Sequence, residues 1–356
     1  MDYGAIDLHK KESQIRLVLM SGEIIDQRVA TTRERFTQVF WGRPRMRILL
    51  EASTESEWVA RHLEGLGHEV IVADPSYGAM YAHRSRRIKT DQRDTVALVT
   101  ACQQGTYREV HRRSARQQAV QRQLHVRAAL TETRTRAISL ARAITRGEGL
   151  RIPAGQAETF STRLAALELS ASVKATLAPL RSVIDVVDDE LAAADERFDA
   201  QVAADPAVKR LTTIPGIGPI TASAFVAALD TASRFERAGH VTSYLGLVPR
   251  EYSSGEIQHR GRVLRSAHPY VQSLLVQAAW RVWRSADPRT APLQRWAQTL
   301  GRRRGRKIAI VALARRLARI LFAMWRDEVE YQPQRTHRRP PPTAATREHD
   351  TRPAAV

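Results

Sequence analysis

The sequence predicts an α/β N-terminal domain followed by a mainly helical and strongly basic region. Short strand-like runs alternate with helical segments through the first 105 residues, which is typical of a mixed sheet. Beyond residue 112 the apolar residues recur at helical spacing over long stretches. Charge separates the same regions: the net charge is +1 for residues 1–105, +7 for 106–150, −5 for 151–208 and +13 for 209–330.

The N-terminal elements are predicted from apolar runs and from the turn residues between them. The predicted strands are residues 4–8, 14–19, 23–25, 46–50 and 70–73. Ser21 and Gly22 supply a hairpin turn between the second and third strands. One helix is predicted over residues 56–66, with Gly67 as its stop, and another from Asp91 to about Cys102.

Residues 112–146 are predicted to be helical, and a heptad pattern follows them. Its apolar members, spaced alternately by four and three, are Val173, Leu177, Leu180, Ile184, Val187, Leu191, Ala194 and Phe198. Pro179 interrupts this pattern, so a continuous helix is predicted to begin near it, with the proline in the first turn. Two interpretations stay open for residues 180–198: an amphipathic helix packed inside its own chain, or a coiled-coil contact with a second copy.

The part that follows Pro206 is predicted to be mainly helical. Its last long amphipathic stretch begins at Ile308 and ends near Val329. The tail from Gln332 contains five prolines and few apolar residues, which predicts disorder.

Composition narrows the class of protein before any motif is considered. The chain of 356 residues carries 56 Lys and Arg against 37 Asp and Glu, a net charge of +19, and it has one cysteine. A single cysteine excludes an intrachain disulfide, and no apolar run approaches the ~20 residues that cross a bilayer. We therefore expect a cytoplasmic protein without a membrane partner, and nucleic acid is the expected polyanionic partner.

Four carboxylates stand at predicted strand and helix ends. Asp7 and Glu51 end apolar strands, and Asp91 and Asp94 lie three residues apart at a helix start, where they share one face. Carboxylates that converge in this way would hold Mg²⁺, which prefers oxygen ligands, and two such ions assist phosphoryl transfer. The alternative is ordinary: acidic residues are common at strand ends and favour the dipole at a helix start.

A glycine-rich turn occupies residues 212–221. Gly216 and Gly218 precede a helix predicted from about Pro219, and such a turn presents free backbone N–H groups to an anion. It has the pattern of a helix-hairpin-helix turn, which contacts nucleic-acid phosphate without reading sequence. A plain turn between two helices is an equally open reading.

A third motif places two serines, Ser253 and Ser254, on a Ser-Ser-Gly turn near several arginines, namely Arg250, Arg260, Arg262 and Arg265. A serine hydroxyl could attack a phosphodiester while arginines stabilise the developing charge. On its own the pattern is most often only a turn. The motif lacks the Gly-x-Ser-x-Gly elbow of serine hydrolases, and a lone cysteine gives no zinc cluster.

Taken together and in this order, the motifs resemble the DEDD transposase and recombinase family of bacterial insertion sequences, which includes invertases of the Piv type. The resemblance covers about residues 3–330. The segments that carry it are residues 5–10, 50–53, 89–94, 214–218, 244–249 and 252–255. The sequence departs from the family pattern at Ser53-Thr54, where members often have Thr-Gly, and at Thr95, where they often have Ala.

The resemblance implies a fold and a chemistry. It implies a RuvC-like (ribonuclease H-like) catalytic domain with an Arg-rich helical extension in residues 1–150, a helical coiled-coil linker in 151–208 and a transposase domain in 209–330, before the tail 331–356. It implies that Asp7, Glu51, Asp91 and Asp94 bind two Mg²⁺ ions and that Ser254 forms a covalent phosphoserine link to DNA. It also implies donor and target DNA, a structured guide RNA and a homodimer or homotetramer as partners.

Two rival functions remain at this stage. A RuvC-like nuclease or junction resolvase would cut with water and form no serine adduct. A non-enzymatic nucleic-acid-binding scaffold would use the glycine-rich turn and would tolerate the loss of the carboxylates.

Overall fold

The computed structural model describes residues 1–82, 91–202, 204–254, 257–263 and 268–333, with the backbone alone at 91, 201–202, 250–254 and 257–263. The chain divides into two units, Met1–Arg113 and Ser114–Val356. Arg265 and most of the predicted disordered tail lie outside the described residues. Among the described residues, no helix is long and apolar enough to span a bilayer.

The N-terminal unit contains one mixed sheet and three described helices. Its elements are β1 (Asp2–Leu8), β2 (Glu12–Val18), β3 (Ile24–Ala30), α1 (Arg33–Phe40), β4 (Met46–Glu51), α2 (Ser56–Gly65), β5 (Glu69–Ala73) and α3 (Asp91–Gln104). The strand order is β3-β2-β1-β4-β5; β1, β2 and β3 are antiparallel neighbours, whereas β4 runs parallel to β1 and β5 parallel to β4. The predicted α/β class is confirmed for this unit.

Helices cover both faces of this sheet. Ile6, Ile15 and Leu50 are fully buried in a cluster with residues of α1 and α2. Alternate strand residues such as Ala5 and Leu49 point to the other face, where they pack against α3. The alternation of side chains along β1 and β4 therefore builds a core on each side of one strand layer.

Helix α1 was not predicted, although its start carries a recognisable signal. Thr32 caps it by accepting a hydrogen bond from the Arg35 backbone N–H. Phe36, Val39 and Phe40 follow at helical spacing and are buried. The spacing spans little more than two turns, which is too short for periodicity alone to separate it from a loop.

Cys102 lies on the buried face of α3, with 1% of its surface exposed. Burial raises the pKa of its thiol to about 12. Since an unfolded cysteine has a pKa of ~8.5, folding disfavours the thiolate, and the free energy of unfolding should fall as the pH rises above that value.

The same shift predicts slow chemical modification. At pH 8 the native thiol should react with iodoacetamide roughly a thousandfold more slowly than in denaturant, because the thiolate is the reactive form. Mass spectrometry of samples quenched at intervals measures both rates. Equal rates would contradict the burial of this side chain.

In its described residues, the C-terminal unit is helical apart from one hairpin. Its elements are α4 (Ala115–Gly147), α5 (Phe160–Ala165), α6 (Ala171–Val202), α7 (Pro206–Leu211), α8 (Pro219–Leu229), α9 (Ala238–Tyr244), β6 (Pro249–Ser254), β7 (Ile257–Val263), α10 (Pro269–Arg284), α11 (Ala291–Arg304) and α12 (Arg306–Arg326). The mainly helical prediction is confirmed. The long helix α4 belongs to this unit, whereas the sequence grouped it with the N-terminal domain.

Helix α6 begins earlier than predicted. It starts at Ala171 and contains Pro179 in its interior, so the prediction of a helix that begins near the proline was wrong. Pro179 is exposed, and water can therefore bond the carbonyl that a proline leaves unpaired one turn before it. Leu177 and Ile184, on either side of the proline, are buried in a cluster with residues of α4 and α5, which holds the helix together there.

The heptad residues of α6 pack inside their own chain. Leu177 and Ile184 join Ile138 and Ala141 of α4 in one buried cluster. Across the same two helices Arg127 pairs with Asp195, and Arg134 with Asp188 at 2.7 Å. The structure thus favours the interpretation of an amphipathic helix packed inside its own chain. The apolar face that a coiled-coil partner would contact is already covered by α4.

A second buried core holds the remaining helices together. Helix α8 is buried on all sides from Ala222 to Leu229, as expected for an apolar helix at the centre of a helical domain. Phe225 of α8 packs in the same cluster as Leu275 of α10 and Phe322 of α12. This arrangement fixes the glycine-rich turn before α8 and the helix ends around it.

Asp230, at the end of α8, ties that helix to the start of α4. Its carboxylate accepts hydrogen bonds from the Ser114 hydroxyl at 2.6 Å and the Ser114 backbone N–H at 3.2 Å. Ser114 in turn caps α4 by accepting from the Gln117 N–H. Asp230 has a φ of 69°, an unusual conformation for a residue other than glycine.

Asp230→Ala should lower the free energy of unfolding of this unit by about 2 kcal/mol, because it removes the buried carboxylate that accepts hydrogen bonds from the Ser114 N–H and hydroxyl. Asp230→Asn should lower it less, since the amide oxygen can still accept. Urea unfolding followed by circular dichroism compares the two. Equal stability of wild type and Asp230→Ala would show that the contact does not stabilise the unit.

Candidate functional site

Asp7 and Glu51 lie beside each other at one edge of the N-terminal sheet. Strands β1 and β4 are parallel neighbours, and Ile6 pairs with Leu50. The next residues along the two strands are Asp7 and Glu51, so both carboxylates stand at the carboxyl ends of adjacent strands. The apolar residues before them are fully buried and fix the strand ends in place.

Asp7 is buried, with 9% of its surface exposed. The Nε2 atom of His9 lies 3.5 Å from Asp7 Oδ2. The His9 backbone carbonyl accepts a hydrogen bond from the Thr31 hydroxyl at 2.7 Å, which anchors this turn. Keeping a carboxylate charged at this degree of burial costs free energy unless a cation lies close to it.

Glu51 is held by a residue that sequence analysis did not identify. The Tyr81 hydroxyl donates a hydrogen bond to Glu51 Oε1. Tyr81 ends a short 3₁₀ turn, Gly78–Tyr81, which follows β5. Glu55, four residues further along the chain, accepts a hydrogen bond from the Trp58 indole instead. Of these two neighbouring acids, Glu51 is the one at the end of β4.

Asp91 and Asp94 lie in the first two turns of α3, the helix that packs on β1 and β4. Asp94 is buried, with 5% of its surface exposed. The side chain of Asp91 lies outside the described residues. The helix that carries this pair thus covers the same strands that end in Asp7 and Glu51.

The donor chemistry of this edge fits Mg²⁺. Carboxylate oxygens are the ligands that this ion prefers, and two of the four acids are largely removed from water. In the part of the chain with described side chains, which excludes Asp91, no three His, Cys, Asp or Glu side chains form a ready metal cluster.

The turn with Gly216 and Gly218 has the predicted form. Helix α8 begins at Pro219 as expected, and Gly218 before it offers no side-chain cap, so the first N–H groups of the helix are not capped by it. Gly216 has a φ of 95°, which favours glycine. A Cβ at Gly216 would come within 3.1 Å of Val282 and 3.5 Å of Arg281 Cβ, so the turn lies directly against α10.

Ser254 is the last residue of β6. It pairs with Ile257 of β7, and Glu251 pairs with Arg260 further down the hairpin. Arg250 falls at an irregularity in the pairing near Pro249, and Arg262 lies in β7. The side chains of these residues are not described, so the backbone alone locates the serine and its arginines.

The sequence predicts the turn of this hairpin but not its strands. Residues 249–254 and 257–263 contain few apolar residues and show no alternation of apolar and polar side chains, which is the signal of a strand. No local signal pointed to Tyr81, which contacts an acid 30 residues away.

Comparisons with known proteins agree with the motifs. Residues 208–294, which include the glycine-rich turn and the hairpin, match the model of the transposase IS116/IS110/IS902 family. A probable family 20 transposase of Pseudomonas aeruginosa is 32% identical over 92% of this chain and 98% of its own length.

Two further relatives extend the comparison. The transposase for insertion sequence element IS1111A of Coxiella burnetii is 26% identical over 80% of this chain and 79% of its own length. The pilin gene-inverting protein of Moraxella bovis is 31% identical over a shorter stretch, 33% of this chain and 36% of its own length.

Proposed function

Because this chain belongs to the IS116/IS110/IS902 transposase family, we propose that it moves an insertion sequence through a covalent serine–DNA intermediate supported by Mg²⁺. It is a transposase, and transposases cut and rejoin DNA. The observation that supports the finer proposal most strongly is the placement of Asp7 and Glu51 on neighbouring strand ends, under the helix that carries Asp91 and Asp94.

The N-terminal unit is proposed to be a RuvC-like domain. Its order β3-β2-β1-β4-β5, with three antiparallel strands followed by two parallel ones, supports this assignment. Asp7, Glu51, Asp91 and Asp94 would hold the metal. Bound Mg²⁺ would supply positive charge that stabilises the attacking and leaving oxygens of phosphoryl transfer.

Ser254 is proposed as the nucleophile. Its oxygen forms a bond to phosphorus while the bond to a sugar oxygen breaks, and the serine proton leaves to a base or solvent. The number of phosphoester bonds is unchanged, so the DNA can be rejoined by the reverse attack without another energy source. Arg250, Arg260, Arg262 and Arg265 would stabilise the negative charge that develops on the phosphate.

Gly216 and Gly218 are proposed to bind nucleic-acid phosphate through backbone N–H groups. Their turn precedes a helix whose N-cap residue, Gly218, has no side chain to cap it, which supports this role. A structured RNA and donor and target DNA remain the proposed partners. Helix α4 can contribute only part of its arginines, since Arg127 and Arg134 already pair with acids of α6.

A homodimer or homotetramer is also proposed, because two duplexes must be brought together. The buried heptad face cannot supply that contact in the described fold. Val183 and Val186, on the other side of α6, are exposed and form the better candidate.

The proposal is tested by strand joining with purified protein. Donor and target plasmids, Mg²⁺ and RNA transcribed from the element's non-coding end should give joined products, and omission of either Mg²⁺ or RNA should abolish them. Cutting without joining would favour the nuclease that uses water. Joining that does not depend on RNA would remove the guide from the proposal.

A DNA invertase is a second candidate, and the similarity to the pilin gene-inverting protein favours it. A plasmid that carries two recombination sites in inverted orientation separates the outcomes. Inversion of the segment between the sites supports the invertase, whereas insertion into a separate target supports the transposase.

A further inference from the structure

The C-terminal helices carry an uninterrupted run of positive charge. Between Asp287 and Asp327, residues 288–326 contain eleven Arg and Lys side chains and no acid. Arginines elsewhere in the chain are commonly ion-paired, as Arg112 is with Glu57 and Glu64. The run contains no acid of its own, and the acids at its two ends, Asp287 and Asp327, pair with Arg289 and Arg326.

Two helix ends of this run, the end of α11 and the start of α12, meet the end of α10. The guanidinium groups of Arg284 in α10 and Arg306 in α12 lie 5.1 and 5.6 Å from the centre of the Trp280 ring. A Cβ at Gly301 of α11 would come within 3.0 Å of the Trp283 ring, so α11 packs closely on α10 there. The end of α10, the end of α11 and the start of α12 form one surface.

The cations at the turn between α11 and α12 are exposed. We call the following set the α11–α12 basic surface: Arg302, Arg303, Arg304, Arg306 and Lys307. Within the described part of the chain, none of them makes a salt bridge. Gly305, with a φ of 89°, makes the turn that brings the two groups of cations together.

The fold itself does not require this charge. Cations at the end of α11 favour the helix dipole, but Arg306 and Lys307 stand at the start of α12, where the dipole opposes positive charge. Mutual repulsion among five adjacent cations adds to this cost. A bound polyanion would remove both unfavourable effects.

The surface continues toward the glycine-rich turn. Arg281 and Arg284 are one helical turn apart on α10, and Arg281 lies beside Gly216. Arg284 shares the Trp280 ring with Arg306. A row of cations therefore extends from the glycine-rich turn to the α11–α12 basic surface. A phosphate backbone could lie along this row.

The stacking favours a duplex over single strands. Proteins that bind single-stranded nucleic acid commonly stack the bases on open aromatic rings. Two arginines already stack on Trp280, and the Arg316 guanidinium lies 4.6 Å from the centre of the Trp296 ring. These rings position guanidinium groups, and positioned guanidinium groups bind phosphates.

We propose that the α11–α12 basic surface docks the phosphate backbone of duplex DNA, independently of sequence and away from the serine hairpin in the chain. The proposal rests on the proposed function for the choice of DNA as the polyanion. It adds a contact region that neither the serine motif nor the glycine-rich turn accounts for.

The test measures binding of the full-length protein to a labelled 30-base-pair duplex of mixed sequence, without divalent metal, over a series of NaCl concentrations. The variant is Arg302→Gln, Arg303→Gln, Arg304→Gln and Lys307→Gln combined. It should bind on the order of 100-fold more weakly, and the slope of log K against log salt should become shallower by about 3 to 4.

The control removes the same charge from the near-neutral N-terminal unit, through Arg28→Gln, Arg35→Gln, Arg45→Gln and Arg61→Gln combined. Its slope should change by less than one, and circular dichroism should show both variants folded. Equal slopes for the two variants would overturn the proposal. So would a loss confined to an RNA hairpin or a 30-base-pair RNA duplex, with DNA binding unchanged.

This readout does not depend on the chemical steps. Ser254→Ala protein should bind the duplex with the wild-type slope even if it joins no strands. A failed joining assay with an intact charge-dependent slope would therefore count against the proposed function and leave the docking surface supported.

Discussion

Ser254→Ala should abolish strand joining, with a loss on the order of 10⁴-fold or more. The alanine side chain has no oxygen that could attack the phosphate in place of the serine hydroxyl. Binding of DNA should be nearly unchanged, since a hydroxyl contributes little to affinity that phosphate contacts dominate. Joined product quantified on gels, alongside the fraction of DNA bound, measures both effects.

Ser253→Ala is the matched control, because it removes a hydroxyl from the neighbouring residue of the same strand. It should retain most of the wild-type activity. Normal joining by Ser254→Ala would remove this serine as the nucleophile, and loss confined to Ser253→Ala would transfer the role to its neighbour.

Asp7→Asn should reduce cutting on the order of 10³-fold while the protein stays folded. The amide has the shape of the carboxylate but lacks the charge that holds a divalent cation. The variant should melt no lower than wild type in EDTA, because it removes a buried charge. Its melting temperature should also rise less on addition of Mg²⁺, which thermal scans measure without any activity assay.

Asp74→Asn supplies the control for that experiment. Asp74 follows β5 at the same edge of the sheet, and two hydrogen bonds from Ser76 together with Arg108 hold the pKa of its carboxyl at about 2. This carboxylate is already neutralised by the chain, so its loss should leave cutting within a few-fold of wild type. A comparable loss of cutting in both variants would show that cutting depends on the sheet edge as a whole rather than on Asp7.

The strands of the N-terminal sheet and most helices were predictable because their signals are local. Apolar runs such as residues 46–50 give a strand, and Pro219 after two glycines gives a helix start. Pro179 shows the limit of local rules, since tertiary packing of Leu177 and Ile184 carries the helix through the proline. The heptad pattern likewise predicted an apolar face without specifying which surface would cover it.

The acidic residues of the candidate site were predictable from the sequence, whereas their contacts in the folded chain were predictable only in part. The ordered motifs identified Asp7, Glu51 and the α3 acids, whereas the contact from Tyr81 depends on tertiary structure. Sequence also gave the excess charge of the C-terminal part without separating the arginines that pair with acids from those that do not. Which arginines pair with acids depends on which residues the fold brings together. The structure distinguishes the paired arginines from the cations at the α11–α12 turn.

A covalent bond between Ser254 and DNA separates this mechanism from cutting by water. A DNA substrate nicked near the cleavage position loses its leaving strand by diffusion and traps the attached protein. After digestion, mass spectrometry should find a nucleotide on the peptide that contains Ser254, and the adduct should disappear in Ser254→Ala. Cleaved DNA with free ends and no attached peptide, or an adduct on another residue, would contradict this mechanism.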